Sequence, residues 1–377
     1  MRFVVQQALL LGALQKIIGV IPAKTTISIL SSFLFDLNGK NLSITGTDLE
    51  ISASTSIDVE GQEDGSIAIP ARIILEIVRE LPDIPLDVSS DEDNKVSIMT
   101  EKGVYRISGE SKDDFPNIIF EDSEGSIEVD SSKLHRMITK TMFAVSTDEL
   151  RMSLMGVYFQ IKEDELRMVS TDGHRLVKIV DTNFRSPAFA LSVIVPTKAL
   201  NLLIRNIEST LADANEKIAM QLSENHAIFS FGRSSIYSKT IEAKYPKYEN
   251  VIPKDNEKRL LVNRDSLIAS TRRVSIFSNS ITHQIRFSIA KNKLEIVSED
   301  LEFGGDAKEE LPADYNADDM EIGYNSHYIL DILKNIDTDE LVILLNNPTS
   351  AAIFTPISQN AGEDLMMLLM PIRLVED

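Results

Sequence analysis

Three segments of this chain end alike: Leu42-Ser-Ile-Thr-Gly-Thr-Asp48, Leu166-Arg-Met-Val-Ser-Thr-Asp172 and Leu294-Glu-Ile-Val-Ser-Glu-Asp300. Their spacing lies far above the roughly 20–50 residues of solenoid repeats, so the chain reads as one domain written three times in tandem. Other landmarks recur in step. An apolar strand runs into a helix at Val5, Val129 and Val262. Ile67-Ala-Ile-Pro70 precedes an apolar helix beginning near Arg72, Val193-Ile-Val-Pro196 precedes one near Lys198, and Glu321-Ile-Gly-Tyr324 precedes one near Tyr328. A proline suits a helix start because it lacks the N–H that would be orphaned there. Each copy closes on Phe115-Pro116, Tyr245-Pro246 or Met370-Pro371.

A length of 377 residues agrees with two to three domains. Polar, turn-rich runs at Glu121-Asp-Ser-Glu-Gly125 and Pro253-Lys-Asp-Asn-Glu-Lys258 place the domains at 1–124, 125–255 and 256–377. Within a copy, two helical patterns are separated by alternating runs such as Thr26–Leu37 and Val96-Ser-Ile-Met, with turns at Asn38-Gly39 and Gly103. The class is therefore α+β. The helix Leu9–Ile18 has an apolar face broad enough to lie on a sheet. Helices inside and sheets outside would line one concave surface with six helices.

Composition narrows the function classes. There is no cysteine, which excludes a disulfide framework and a Cys-ligated zinc site. No secretory leader pattern and no membrane-length apolar run is present, so a soluble, cytoplasmic protein without membrane contact is expected. The absence of Trp and an aromatic content of 6% argue against a base-stacking platform.

The net charge of −20 would ordinarily disfavour nucleic acid. Acid, however, gathers in loops such as Asp91-Glu-Asp93 and Asp318-Asp319, while the helices are poorer in it. Ser131–Lys140 carries Lys133, Arg136 and Lys140 and no acid; the helix from Thr197 carries Lys198 and Arg205; that from Asp265 carries Arg272 and Arg273. An acidic exterior with a basic inner face fits this distribution, and so do helices with a merely solvated basic side.

Ser170-Thr-Asp-Gly-His-Arg-Leu176, Tyr245-Pro-Lys-Tyr-Glu-Asn-Val-Ile-Pro253 and Met370-Pro-Ile-Arg-Leu374, in that order and in three tandem domains, resemble the beta-subunit family of bacterial DNA polymerase III, the sliding clamps. The resemblance runs from Met1 to Leu374. It implies a head-to-tail homodimeric ring around duplex DNA, gripping no particular sequence, loaded by a clamp loader and serving the replicative polymerase as a processivity factor. It also implies a pocket for the clamp-binding motifs of these and other partners, formed by Leu154, Thr171, Gly173, His174, Arg175, Leu176, Pro246, Val251, Ser350, Leu368, Met370, Pro371, Ile372 and Arg373.

DNA-facing candidates are Lys24 and Arg72, by resemblance, and Lys198, Arg272 and Arg273, from helix charge. Sliding requires diffuse phosphate contacts of this kind rather than base readout. The implied dimer contacts are Tyr105 and Ile107 against Ile276 and Phe277. The chain departs from the family pattern in the insertion Asn360–Leu365, in the tail Val375-Glu-Asp377, and at Met152 and Ser153, where some relatives carry aromatics.

A hydrolase using Ser170, Asp172 and His174 is the alternative from another class. The three fall within one short segment and lack a Gly-x-Ser-x-Gly elbow, whereas triad members come from separated segments. A protein-interaction scaffold without DNA is the other alternative. No histidine pair has metal-ligand spacing and no phosphate loop is present, so neither metal nor cofactor is expected and no catalysis.

Overall fold

The computed structural model describes residues 1–117, 126–186, 190–208, 216–300 and 304–374. Each copy is built twice from the same unit, a lead strand, a helix and further antiparallel strands. In the first copy Arg2–Gln6 leads into α1 (Gln7–Ile17) and Gly65–Pro70 into α2 (Ala71–Glu80). In the second, Ile127–Asp130 leads into α3 (Ser131–Met142) and Leu191–Pro196 into α4 (Thr197–Glu208). In the third, Lys258–Asn263 leads into α5 (Arg264–Val274) and Met320–Asn325 into α6 (Ser326–Lys334).

The helix starts have local causes. Pro70 and Pro196 end their strands immediately outside α2 and α4, where a missing N–H costs no helical bond. The third copy uses side-chain caps instead. Asn263 accepts from the Ser266 N–H, and Asn325 from the N–H groups of His327 and Tyr328. The equivalent Val5, Val129 and Val262 all point into the core.

Pairing follows one rule through the chain. The lead strand of one half-copy joins the sheet of the other half: Arg2–Gln6 pairs Pro85–Ser90, Ser32–Asn38 pairs Gly65–Pro70, and Lys258–Asn263 pairs Glu340–Leu345. The sheets then continue between copies. Ile51–Asp58 of the first pairs Ser234–Lys239 of the second, and Arg175–Asp181 of the second pairs Glu363–Leu369 of the third.

The chain consequently forms two compact units that divide the middle copy, one of residues 1–136 with 195–241 and the other of 137–194 with 242–377. The first holds a five-stranded and an eight-stranded sheet, with α1 packed on α2 and α4. In the second, a twelve-stranded array carries α5 against α6, and Tyr324 packs edge-on between Phe287 and Phe354.

Several strand edges remain open among the described residues, and two of them bear on assembly. Gly103–Ser108 is the outermost strand of the five-stranded sheet. Residues 305–312 pair with Lys293–Asp300 on one side only, since Lys258–Asn263 takes up just Ala313, Asp314 and Tyr315.

Several sequence expectations shift in detail. The run Thr26–Leu37 is not one strand. Ser28–Ser31 forms a 3-10 turn, held by the Ser31 hydroxyl on the Ser28 carbonyl, and the strand begins at Ser32. Gly103 starts a strand; the turn is at Glu101 and Lys102.

Met370-Pro371 is also not the counterpart of Phe115-Pro116. Met370 directly follows its strand, and Ile372 bridges Gly323 where Glu110 bridges the equivalent Ala68. The boundary run Glu121–Gly125 and the tail Val375–Asp377 lie outside the described residues.

Candidate peptide-binding site

The repeated Thr-Asp pair is a turn device. Thr171 Oγ1 accepts the Gly173 N–H at 3.0 Å and donates to the Arg175 carbonyl at 2.6 Å. Asp172 Oδ1 accepts the N–H groups of His174 and Arg175 at 2.9 and 3.0 Å. Thr47 and Asp48 make the same four bonds with Leu49, Glu50 and Ile51. Both turns force a left-handed residue, with φ of 91° at Gly173 and 76° at Leu49. Only the second copy puts glycine there. A Cβ at 173 would meet only the end of the flexible Arg151 side chain, at 2.8 Å, so φ rather than space is the reason for glycine here.

Arg175 turns out to be a strut. Its guanidinium donates to Asp172 at 3.0 Å, to Asp331 of α6 at 2.7 Å and to the Phe143 carbonyl at 2.7 Å. It also lies 4.6 Å from the centre of the Tyr328 ring. A charge this enclosed must be paired on all sides, and that need ties the turn to α6. The His174 ring then stacks on Tyr328 at 5.9 Å.

The chain end arrives at the same place. Leu176 pairs Leu368, the Met370 N–H donates to the His174 carbonyl at 2.8 Å, and the Ile372 N–H to Gly323 at 2.8 Å. Of the expected pocket residues, Gly173, His174, Pro246, Val251, Met370 and Arg373 are exposed and Ser350, Pro371 and Ile372 half-buried. Leu154, Thr171, Arg175, Leu176 and Leu368 are buried beneath them. Ser350 sits in a turn held by Asn347, close to the strand Ala352–Pro356 that pairs with the chain end. Tyr328, Asp331, Phe143 and Arg151 went unrecognised in the sequence. Tyr328 and Asp331 did carry a signal, a spacing that puts both on one helix face.

The proposed triad residues have other commitments. The buried Ser170 hydroxyl donates to the Thr141 carbonyl at 2.5 Å, Asp172 holds the turn and Arg175, and His174 faces Tyr328. No nucleophile-to-base hydrogen bond is left to them.

The basic candidates divide. Lys24, in the loop before Ser28–Ser31, Arg72, in the first turn of α2, and Arg272, in the last turn of α5, are exposed. Lys198 is paired with Asp48 and Arg273 with Glu309. Lys140, counted above with the basic helix residues, is buried and donates to Asp337 at 2.6 Å and to the Asn335 carbonyl.

The hydrogen bond from Arg273 holds Glu309 down from 4.5 to about 2. A carboxylate depressed in this way stabilises the fold above its unfolded pKa and loses that contribution as pH falls from 4.5 towards 2. Glu309→Gln is expected to remove at most about 1 kcal/mol at neutral pH, the pair being exposed, and to flatten unfolding free energy across that acid window. Urea titrations at successive pH values check it.

At the expected dimer contacts, Tyr105 is partly exposed on the open strand Gly103–Ser108, whereas Ile107 is 5% exposed and belongs to its own core. Ile276 and Phe277 are exposed after α5. Val104 and Ile73 add apolar exposure that sequence reading passed over.

Comparison with known proteins agrees with this architecture. Models of the N-terminal, central and C-terminal domains of the DNA polymerase III beta subunit match residues 1–119, 128–247 and 249–373. The beta sliding clamp of Pseudomonas putida is 33% identical, with 99% of this chain and 100% of that protein covered. That of Caulobacter vibrioides is 32% identical, with the same coverage.

Among solved structures, the Pseudomonas aeruginosa DnaN sliding clamp bound to griselimycin superimposes with a TM-score of 0.93 at 30% identity, covering 99% of this chain and 100% of that one. The Bartonella birtlesii clamp bound to griselimycin gives 0.92 at 30%, with the same coverage. The chain belongs to the DNA polymerase III beta-subunit family. Its role is that of a DNA sliding clamp, a non-catalytic processivity factor in replication.

Proposed function

We propose that the protein works in the cytoplasm as a head-to-tail dimer around duplex DNA and tethers the replicative polymerase, the clamp loader and other motif-bearing partners at the site around His174. The observation that carries the tethering reading is the meeting of the Asp172–Arg175 turn, the chain end from Met370 to Ile372 and α6, all inside one compact unit. Exposed Met370, Val251 and Pro246 offer apolar purchase, and His174 and Tyr328 an aromatic face. Exchange between partners calls for micromolar affinity, about −8 kcal/mol. Calorimetry with a Gln- and Leu/Phe-containing peptide tests the site. No binding to the intact dimer would remove it.

Ring closure is tested separately by retention on circular against linear DNA. A scaffold or a hydrolase treats the two forms alike. Lys24→Glu, Arg72→Glu and Lys198→Glu together are expected to lower retention on circular DNA at least tenfold at low salt; the domains stay folded because all three side chains are exposed, with a small loss of stability where Lys198→Glu meets Asp48. Lys198 is expected to contribute least, since Asp48 already balances it. Retention equal to the parent would return these residues to ordinary surface charge.

A further inference from the structure

The segment Tyr245–Val251 carries Pro246 and Val251 but makes no sheet ladder; its only regular element is a 3-10 turn at Tyr248–Val251. Its place is set by side chains. Tyr245 stacks on Tyr158 at 4.3 Å with planes 3° apart, and Tyr248 stands edge-on to both rings. The Tyr248 hydroxyl accepts from Arg167 Nη1 at 2.7 Å and donates to Gln160 Oε1 at 2.6 Å. Arg167 Nη1 also reaches Glu249 at 2.8 Å, and its Nη2 reaches Glu165 at 2.8 Å. One planar guanidinium therefore links the strand Leu166–Thr171, whose end forms the Thr171 turn, to two residues of the segment.

We propose that Arg167 is a positioning residue of the peptide site: through Tyr248 it locks the 245–251 segment onto the sheet and so sets the wall that Pro246 and Val251 present to a bound peptide. This rests on the peptide-site reading above. Besides its stacking, Tyr245 has a long hydrogen bond of 3.5 Å from its hydroxyl to the Val169 carbonyl, and together these leave the segment some freedom to slide along the Tyr158 face. The fork of hydrogen bonds removes that freedom, and a lysine ammonium cannot reproduce the fork. The lock acts on the wall only, because the His174–Tyr328 face is held independently by Arg175.

The test is calorimetry on the full-length dimer with two peptides, a Gln- and Leu/Phe-containing motif and the same peptide without its C-terminal apolar residues. The parent is expected to favour the longer peptide. Arg167→Met, and the milder Tyr248→Phe, which deletes one hydroxyl, should each shrink that preference about tenfold with dimer mass and unfolding midpoint nearly unchanged. Arg167→Lys should recover part of it. The double variant should be no worse than the worse single, because the two residues act as one unit. An undiminished preference in Tyr248→Phe and Arg167→Met, or an equal loss for both peptides, overturns the positioning role. Failure of the parent to bind either peptide instead overturns the peptide site itself.

Discussion

Ile276→Ala with Phe277→Ala should turn a dimer into monomers. The pairing rule of the chain supplies the reason. The last strand of one first half pairs the last strand of the next copy's second half, as Ile51–Asp58 does with Ser234–Lys239 and Arg175–Asp181 with Glu363–Leu369. Residues 305–312 of the third copy and Gly103–Ser108 of the first are the equivalent strands that lack such a partner among the described residues.

A second copy of the chain satisfies both edges by the same rule, and head-to-tail pairing closes the ring. Ile276 is 77% exposed, and the Phe277 ring lies over Gly305 at the start of the open edge. Val104, Tyr105 and Ile73 supply apolar surface beside the other edge. Removing both side chains should cost about 2 kcal/mol or more at each of two interfaces, raising the dissociation constant about a thousandfold. Light scattering at micromolar protein decides it, and an unchanged dimer mass would remove this interface.

Gly323→Val should abolish partner-peptide binding while leaving the dimer whole. A Cβ at 323 would stand 2.6 Å from the Ile372 carbonyl oxygen and 2.9 Å from Leu374 Cδ2, and the first of these is backbone that cannot rotate aside. The strand Met320–Asn325 tolerates valine by propensity, so the chain end is what must leave. With it go Met370, Pro371 and Ile372.

Deleting Met370–Asp377 should give the same loss, from about −8 kcal/mol to no measurable heat, and Gly323→Val should add nothing in the truncated chain. Strong binding by either variant would mean that the peptide is held elsewhere. Removing only Val375–Asp377 is expected to change little.

Much of the fold was legible because it is local. The change from period two to period 3.6 at Val5, Val129 and Val262 marks strand-to-helix junctions that the structure has within a residue or two. The recurrent Thr-Asp pair is a turn whose bonds span no more than four residues, so its chemistry is written entirely in the repeat. The false match of Met370-Pro371 to Phe115-Pro116 arose because a residue pair was aligned without its register. The bridges to Gly323 and Ala68 supply that register, and they join residues far apart in the chain.

The sequence by itself determined the triplication, the α+β alternation, the family and the segments that meet at the candidate peptide site. Only the tertiary structure decided which members of those segments face outward. Arg175 reads as a pocket residue and is a buried strut, because Asp331 and Phe143, distant in sequence, surround it. Lys140, Lys198 and Arg273 read as free cations on helices, yet each meets a carboxylate from a separate element. Periodicity and turn chemistry act over a few residues and survive in a linear string. Charge compensation, burial and the register of distant strands depend on which residues the fold brings within a few ångströms, and the string does not record that.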